Sequence, residues 1–455
     1  MAKPFIKMVK SLNYPSIFLL MNSPILSSAC FSPKLQWLDS NENNIPRDIN
    51  WLFNTIPKYM PLIENQPKVL FPEELEEEKR IIKQQEREAY LYAWINAMVE
   101  SDNPLREKMA LFWHHHIPCT GGKNTDHTKL LLEILRKHAL GNLRDLLVEL
   151  ISTPALMRYL DLQGSSKISP NENFAREFLE LYTLGEGNYS LLDVKETARA
   201  FTGRRYDKKQ FPYSFFLDLE AFDDGQKTIL GKMDNFNGED VIDLVLEKKH
   251  TAIHITTSLL KFLVSDQPNQ EMISACSEIY FSSNYSMVAL LHAVFSHEAF
   301  SNPKNKHNKI KTPVELLVSF QRQTGLRTVG LKTSYFFLRY TGQELFNPPN
   351  AAGWPGGKDW FRGDRLLHRL YLPGTLIEIA NRKFAKKSLS YKLQSRISLP
   401  NKRQYRYYAD AVWCEDLFYE LLKNNNYSVS EWIFGTNSNE KNLSMAIQNL
   451  TFQYI

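Results

Sequence analysis

The sequence predicts a mainly α-helical protein built as a single large multi-helical domain. Apolar residues recur at helical spacing along most of the chain, and glycine or proline breaks the pattern at intervals. The 455 residues are 43% hydrophobic, which is ample for a large core. We find no internal repeat and no low-complexity segment. Two exceptions to the helical pattern are expected: an irregular insert near 204–240 and an ordered loop rich in Pro, Gly and Trp near 347–360.

Charge and cysteine usage exclude some classes of function. Lys and Arg total 55 against 50 Asp and Glu, so the formal net charge is only +5, and no basic block is interleaved with aromatic residues. Nucleic acid is therefore a poor candidate ligand. The four cysteines are scattered without CxxC spacing, which argues against a zinc cluster and against a disulfide framework. This usage suits a reducing compartment, and we expect a cytoplasmic protein.

The first 30 residues offer an alternative location. Lysines precede the apolar stretch SIFLLMNSPILSSAC, which has the pattern of a signal peptide that ends in a lipidated Cys30. Export or attachment to the cell envelope would follow. Asn22 and Pro24 interrupt the stretch, and we favour an N-terminal segment, 1–25, that precedes the folded domain. Nothing else in the chain approaches the ~18 apolar residues of a membrane span.

A histidine-rich helix is predicted to end just before Pro118. The sequence LREKMALFWHHHIPCTGG follows a helix predicted over 72–100, and proline disfavours helix at the residue before it, so the second helix should end near His116. His114 and His116 lie two residues apart and could share a metal ion only if the last turn unwinds. The alternative is a structural pair that packs beside Trp113.

The stretch SPNENFAREFLELYTLGEGNYSLLDVKETARAFTG predicts two helices that meet at a glycine turn. The first, 170–184, starts from a capping box at Ser169, the second, 191–202, from one at Ser190, and Gly185–Gly187 joins them. Apolar residues cover most of the first helix and leave one narrow polar face. That face carries Asn173, Arg176, Glu177 and Glu180.

Two irregular stretches come later in the chain. Within the insert near 204–240, FDDGQKTILG indicates a tight turn in which Asp224 adjoins a glycine and Lys227 pairs locally. The loop GQELFNPPNAAGWPGGKDWF is too rich in Pro and Gly to be helical. So apolar a loop is either buried against helices or lines a pocket. We expect it to pack against the two helices above, with Trp354 largely buried.

These stretches resemble the bacterial family known as domain of unknown function 1800. Its signature runs roughly PNENYARELLELFTLG, then DVKEAARALTGW. The chain matches it at Arg176, Glu177, Glu180, Leu184, Gly185, Val194, Ala198, Arg199, Thr202 and Gly203. The histidine helix, the segment KTPVE that begins at Lys311, the FDDG turn and the late loop also resemble family motifs. The chain departs from the family pattern at Ser28, Ser32, Arg204 and Asp223, where the family favours Arg, Gly, Trp and His.

The resemblance implies a helical domain over residues 26–370, with a C-terminal helical part, 371–455, packed on it. Family members are often encoded beside proteins similar to alkaline phosphatases and sulfatases, which implies a partner of that kind. The family name records no reaction. The resemblance therefore indicates where a site would lie and leaves its chemistry open, and the four departures make a less active member conceivable.

Two classes of function remain open. The first is a hydrolase that uses acid–base chemistry or one divalent metal ion, with a polar site on the helix 171–184. Its candidate residues are Glu177, Glu180, Arg176 and Asp224 for catalysis, Asn173, Asn350 and Trp354 for substrate, and His114 and His116 for the metal. The second is a non-catalytic binding or assembly protein in which the same residues form a buried structural network. The hydrolase hypothesis predicts that Glu177 or Glu180 lies within hydrogen-bond reach of one of the two histidines, directly or through one water.

Overall fold

The computed structural model describes residues 49–62, 76–122, 124–207, 213–301, 309–324 and 331–369. Within these ranges the protein is mainly helical, as predicted, with two small sheets. Among the described helices, none combines the length and the apolar character that crossing a membrane requires. The N-terminal segment, the departures at Ser28 and Ser32, and the C-terminal part over 371–455 lie outside the described residues.

The helices are numbered in chain order. Their bounds are α1 (Ile49–Asn54), α2 (Glu76–Glu100), α3 (Leu105–His116), α4 (Thr125–His138), α5 (Leu143–Leu150), α6 (Pro154–Tyr159), α7 (Glu172–Glu177), α8 (Leu191–Ala200), α9 (Gly238–Leu246), α10 (Lys249–Leu263), α11 (Gln270–Ser282), α12 (Met287–Ser296), α13 (Pro313–Thr324) and α14 (Leu331–Tyr340). Short 3₁₀ turns occupy Leu162–Gly164, Glu298–Ser301 and Gly357–Phe361. A π-helical turn, Phe178–Thr183, continues α7.

One apolar core joins elements from the whole described chain. It contains Leu52 of α1, Trp94 of α2, Tyr280 of α11 and Phe346 after α14. α2 packs against α4, α13 and α14, while α10, α11 and α12 pack in succession. Helices with one apolar face must bury that face against neighbours, and here they do so around a shared interior. This arrangement confirms the prediction of a mainly α-helical single domain.

The insert after α8 folds into two hairpins, where the sequence predicted irregular structure. β1 (Arg204–Tyr206) pairs with β2 (Phe215–Leu217), and β3 (Lys227–Ile229) pairs with β4 (Lys232–Asp234), both antiparallel. Each strand has three residues. Strands this short show too little alternation to be recognised from sequence, which relies on runs of about four to eight residues.

The second signature helix and the glycine turn form as predicted. α8 starts from a capping box in which Ser190 and Asp193 exchange hydrogen bonds with each other's backbone amides. Gly185 and Gly187 have φ of +82° and +79°, a conformation that strains any residue with a side chain. No strand interrupts either signature helix.

The first signature helix starts from a residue that the sequence did not indicate. Asn171, and not Ser169, is the N-cap: its Oδ1 accepts the Phe174 amide hydrogen at 2.9 Å. The same side chain donates from Nδ2 to the Leu160 carbonyl at 2.8 Å. Asn171 therefore caps α7 and ties it to the preceding loop, which Ser169 cannot do from outside the helix.

Candidate functional site

The polar residues of the signature helix lie where α7 widens into the π-helical turn. The Leu184 amide donates to the Leu179 carbonyl, five residues earlier, at 2.8 Å. The Thr183 hydroxyl donates to the Phe178 carbonyl at 2.7 Å. The turn packs against α9 and α10. Single π-helical turns inside α-helices frequently occur at functional sites, so this stretch is a candidate functional site.

Glu177 and Glu180 have different surroundings although they are neighbours. They lie three residues apart and both are half-buried, so their carboxyl groups occupy the same face of the helix. Burial raises the pKa of Glu177, the charge of Glu180 adds to the shift, and Arg176 opposes it. The Tyr189 hydroxyl donates a hydrogen bond to Glu180. In this pair, Glu177 therefore has a raised pKa, and Glu180 accepts a hydrogen bond from a hydroxyl group.

Two tyrosines and a cysteine share the electrostatic environment of Glu177. Burial raises the pKa of Tyr159 and of Tyr182, and the Cys119 thiol and the Glu177 carboxyl add to both shifts. The Tyr182 hydroxyl is buried and has no hydrogen-bond partner among the described residues. In the sequence Tyr182 belongs to the apolar stripe of the helix and gave no sign of this position.

His114 is buried on the opposite side of α3 from the signature helix. Its Nε2 accepts the Phe346 amide hydrogen at 3.1 Å, and its ring stacks on Trp354 with centroids 4.7 Å apart. Burial lowers the pKa of His114 to about 3, so the ring is neutral. Its acceptor nitrogen is therefore already used by the protein backbone.

His116 contacts the backbone of the signature helix. Its Nε2 lies 3.3 Å from the Tyr182 carbonyl and can donate to it in the tautomer that carries the proton there. The ring also stacks on Phe112 and packs edge-on beside Trp113, as the structural alternative predicted. His254 makes a similar bond from α10, with Nε2 2.9 Å from the Leu181 carbonyl. Burial lowers the pKa of His116 to about 3.

The predicted direct hydrogen bond between a histidine and Glu177 or Glu180 does not form among the described residues. α3 stays helical to its end, and helical residues two apart point to opposite sides, so His114 and His116 enter different environments. Within the described ranges no group of three His, Cys, Asp or Glu side chains could hold a metal ion. Since both Nε2 atoms have backbone partners, these two residues do not fit a shared metal.

Trp354 is buried as predicted, with 4% of its surface exposed, but the loop packs on the end of α3. It forms a small second apolar cluster with Trp360 and Ile310. Gly353 passes so close to α3 that a Cβ there would lie 2.8 Å from the His115 carbonyl oxygen. The stacking partner of Trp354 is His114 of α3, and packing of the loop on the signature helices stays a prediction.

Three of the predicted site residues are exposed. Asn173 and Asp224 lie at the surface, and so does Asn350, whose Oδ1 accepts the Ala352 amide hydrogen at 3.0 Å. That bond closes a turn of the loop, which is a common role for asparagine. The structure therefore brings Arg176, Glu177 and Glu180 together on one face. The three exposed residues do not join them in a buried site.

Asp223, where the family favours histidine, connects the insert to α8. Its carboxylate accepts two hydrogen bonds from Arg199, from Nε at 2.7 Å and from Nη2 at 3.0 Å. Lys227 donates from Nζ to the carbonyls of Asp223 and Gly225 at 2.6 and 2.9 Å, the local pairing that the sequence predicted. These contacts assign the turn a structural role.

Arg204, where the family favours tryptophan, is buried with 2% of its surface exposed. Its guanidinium carbon lies 4.2 Å from the centre of the Phe215 ring, and its Nη2 lies 3.1 Å from a Glu239 carboxylate oxygen. A planar guanidinium can stack on an aromatic ring much as another ring would. The substitution is therefore accommodated by packing together with an ion pair.

A protein-family model described as "Protein of unknown function (DUF1800)" matches residues 25–445. No curated protein and no solved structure matches the chain significantly.

Proposed function

Because the chain belongs to the DUF1800 family, whose description assigns no reaction, we propose a function from its geometry: an acid–base site for hydrolysis on the signature helix, with Glu177 and Glu180 as the proton-transferring pair. One observation carries this proposal, the unequal surroundings of two adjacent carboxyl groups. Burial raises the pKa of Glu177, whereas Glu180 accepts a hydrogen bond from Tyr189. Environments that push the pKa values of paired groups apart divide the roles of acid and base.

In this proposal Glu177 is the general acid and Glu180 is the general base. The raised pKa of Glu177 brings its proton closer to the range where it can be transferred near neutral pH. Tyr189 orients the Glu180 carboxylate, and Arg176 on the same face can bind an anionic group of the substrate. The buried Tyr182 hydroxyl offers a further donor. No step uses His114 or His116, since neither fits a metal here.

The test measures the rate at which the full chain hydrolyses four p-nitrophenyl substrates: the acetate, the phosphate, the sulfate and the glucoside. Glu177→Gln and Glu180→Gln should each lower the rate by about 100-fold or more, at an unchanged melting temperature. Glu172→Gln, an exposed change on the first turn of the same helix, is the matched control and should keep full activity. A Glu177 carboxyl that titrates in NMR near the ordinary value of about 4.3 would contradict the assignment for any substrate.

The second candidate is a non-catalytic binding or assembly protein. Leu191 and Leu192, which begin α8, are 69% and 56% exposed, and adjacent exposed leucines suit contact with a partner protein. Family association would make that partner similar to alkaline phosphatases or sulfatases. A large fall in melting temperature for Glu177→Gln, with no hydrolysis of any substrate in the panel, would favour this candidate over the enzyme.

A further inference from the structure

A group of buried and partly buried cations lies near the junction of α3, the start of α13 and the late loop. We call Lys108, Lys309, Lys311 and Arg369 the cation cluster. Lys108 is 1% exposed and Arg369 is 5% exposed. All four act electrostatically on one buried carboxylate, Glu315. Lys108 belongs to the histidine helix and Lys311 to the KTPVE segment, two stretches that resemble separate family motifs.

Glu315 has both carboxylate oxygens engaged. Its Oε1 accepts hydrogen bonds from Lys108 and, at 2.7 Å, from Lys309. Its Oε2 accepts the Thr312 amide hydrogen at 2.8 Å, and the Thr312 hydroxyl accepts the Glu315 amide hydrogen at 3.2 Å. This reciprocal pair is a capping box that starts α13. The position of Glu315 is therefore set by the helix start, and its direct bonds go to two of the four cations.

Within the described ranges, the cations of the cluster outnumber the acids that face them. Asp266 is the second carboxyl in the region: burial raises its pKa, and Lys309 opposes the shift. Among the described residues, even with Asp266 ionised, the four positive charges of the cluster face two negative ones. Burial lowers the pKa of Lys108 and of Lys311 to about 8, against the attraction of Glu315. Buried charge in excess is unfavourable unless a counter-charge accompanies it, so the cluster has the chemistry of an anion site.

Arg369 has a hydrogen-bond donor that nothing in the described ranges satisfies. Its Nη2 donates to the Lys311 carbonyl at 2.7 Å, while its Nη1 is buried without a partner among the described residues. The Nδ1 of His115 is likewise buried and has no hydrogen-bond partner among the described residues. The charge of Lys309 helps to lower the pKa of this histidine. A buried guanidinium with a free N–H is suited to an oxyanion, because its donors match the geometry of phosphate and carboxylate oxygens.

The Phe262 ring and the late loop border the cluster. The Phe262 ring centre lies 5.2 Å from the Lys108 Nζ and 4.8 Å from the Lys309 Nζ. The loop closes against Asp266 at Gly357, where φ is +55° and a Cβ would lie 2.7 Å from the Asp266 Oδ2. Apolar walls lower the local dielectric and strengthen every charge interaction inside them. An anion would therefore be held more strongly here than by lysines at the surface.

We propose that the cation cluster binds a dianionic oxyanion, either a free phosphate or sulfate ion or the phosphate group of a monoester. A dianion matches the excess of two positive charges, and ammonium and guanidinium donors suit its oxygens. The site goes beyond the acid–base proposal, since it uses no residue of the signature helix. It can be present whether or not Glu177 and Glu180 are catalytic.

The test is calorimetric titration of the full chain with sodium sulfate, sodium phosphate and phenyl phosphate, at an ionic strength held constant with chloride. Sulfate and phosphate should bind at one site, and acetate, a monoanion, should bind about tenfold more weakly. If phenyl phosphate binds as tightly as phosphate, the site accepts a phosphate monoester. If phenyl phosphate does not bind, the site accepts only the free ion. Lys311→Met and Arg369→Gln should weaken binding about tenfold or more. Lys232→Met, at an exposed lysine paired with Glu247, is the matched control and should leave the affinity for sulfate and phosphate unchanged.

The unaltered protein provides a second measurement in case the variants do not fold. Sulfate stays a dianion at neutral and alkaline pH, so a fall in its affinity as the pH rises through about 8 reports deprotonation of Lys108 and Lys311. The facing groups Glu315 and Asp266 are expected to be already ionised there. No binding beyond chloride, or an affinity that neither pH nor the cluster variants change, would mean an adventitious ion only and would overturn the proposal.

Discussion

At the scale of single residues, Asp223 shows how a departure from the family pattern is absorbed. The resemblance places histidine at this position, which left open whether the chain had lost a reactive group. In the structure the carboxylate pairs with Arg199 through two N–H groups and also accepts the Gly225 amide hydrogen at 3.0 Å. The residue thus holds the turn of the insert on α8, a role that an aspartate performs through charge.

Replacing Asp223 with asparagine should lower the free energy of unfolding by about 1–2 kcal/mol at neutral pH, because a charge-assisted pair is lost. Arg199 holds the pKa of Asp223 below its usual value. A depressed carboxyl pKa contributes stability above the unfolded value of about 4, and this stability is lost as the pH falls below it. The difference between the two proteins in urea unfolding should therefore be constant from about pH 6 to 8 and shrink below about pH 4.

Asp224→Asn provides the control for this change. Asp224 is the adjacent residue and is exposed, so its replacement should change the free energy of unfolding by less than about 0.5 kcal/mol. Equal effects of the two substitutions would argue that the Arg199 pair contributes nothing to stability.

At the scale of elements, the π-helical turn distinguishes the signature helix from the other helices that the structure describes. A π-helical turn spaces its carbonyls and amides five residues apart, and the Thr183 hydroxyl adds a bond to the Phe178 carbonyl at 2.7 Å. Thr183 is fully buried, so water cannot reach the Phe178 carbonyl to replace that hydrogen bond. The side chain therefore helps to hold the widened turn that follows Glu177.

Thr183→Val should lower the free energy of unfolding by about 1–2 kcal/mol, since it keeps the shape and removes a buried donor. Thr257→Val is the matched control, because the Thr257 hydroxyl bonds the Ile253 carbonyl at 2.7 Å near the surface, where water can replace it. The control should lose less than about 0.5 kcal/mol in the same denaturation experiment. A Thr183 variant as stable as the control would show that the turn does not depend on this hydroxyl.

At the scale of the whole molecule, the three consecutive histidines lie where α3 contacts both the signature helix and the late loop. His114 stacks on Trp354, His116 bonds the Tyr182 carbonyl, and His115 packs between Trp354 and Phe262. Burial lowers all three pKa values, to about 3 for His114 and His116 and to about 4 for His115. The segment therefore joins distant parts of the chain only while its rings are neutral.

Stability should fall steeply as the pH drops from about 6.5 toward 4. Unfolded histidines take up protons near pH 6.5 and the buried ones do not, so the unfolded state binds more protons in this range. Each such histidine lowers the free energy of unfolding by up to about 1.4 kcal/mol per pH unit, so the three contribute roughly 4 kcal/mol per unit. His127 and His254, whose pKa values burial also lowers, add to this slope. Guanidinium unfolding at several pH values between about 7.5 and 5 measures this slope.

His116→Gln should reduce that slope by about one fifth, because it removes one of the five described histidines whose pKa burial lowers. His250→Gln is the control, since His250 is exposed on α10, and it should leave the slope unchanged. Identical slopes for all three proteins would mean that His116 titrates alike in the folded and unfolded chain.

The sequence by itself determined the features that depend on residues within about one helical turn of each other. The capping box at Ser190, the glycine turn at Gly185–Gly187 and the end of α3 before Pro118 all follow from local backbone chemistry. The proximity of Glu177 and Glu180 is local in the same way, since three residues of helix bring two side chains together. These features and the mainly α-helical class were therefore predictable.

Only the tertiary structure decided which helix surfaces meet. Lys108 and Glu315 lie 207 residues apart in the chain, and the partner of His114 is the amide of Phe346, 232 residues away. Even the choice of Asn171 over Ser169 as cap depends on the Leu160 carbonyl outside the helix. Many pairings of apolar faces bury similar areas. Which pairing is most stable depends on side-chain packing and on hydrogen bonding of buried polar groups across the whole core. A periodic pattern shows that a face is buried, and it carries no information about what buries it.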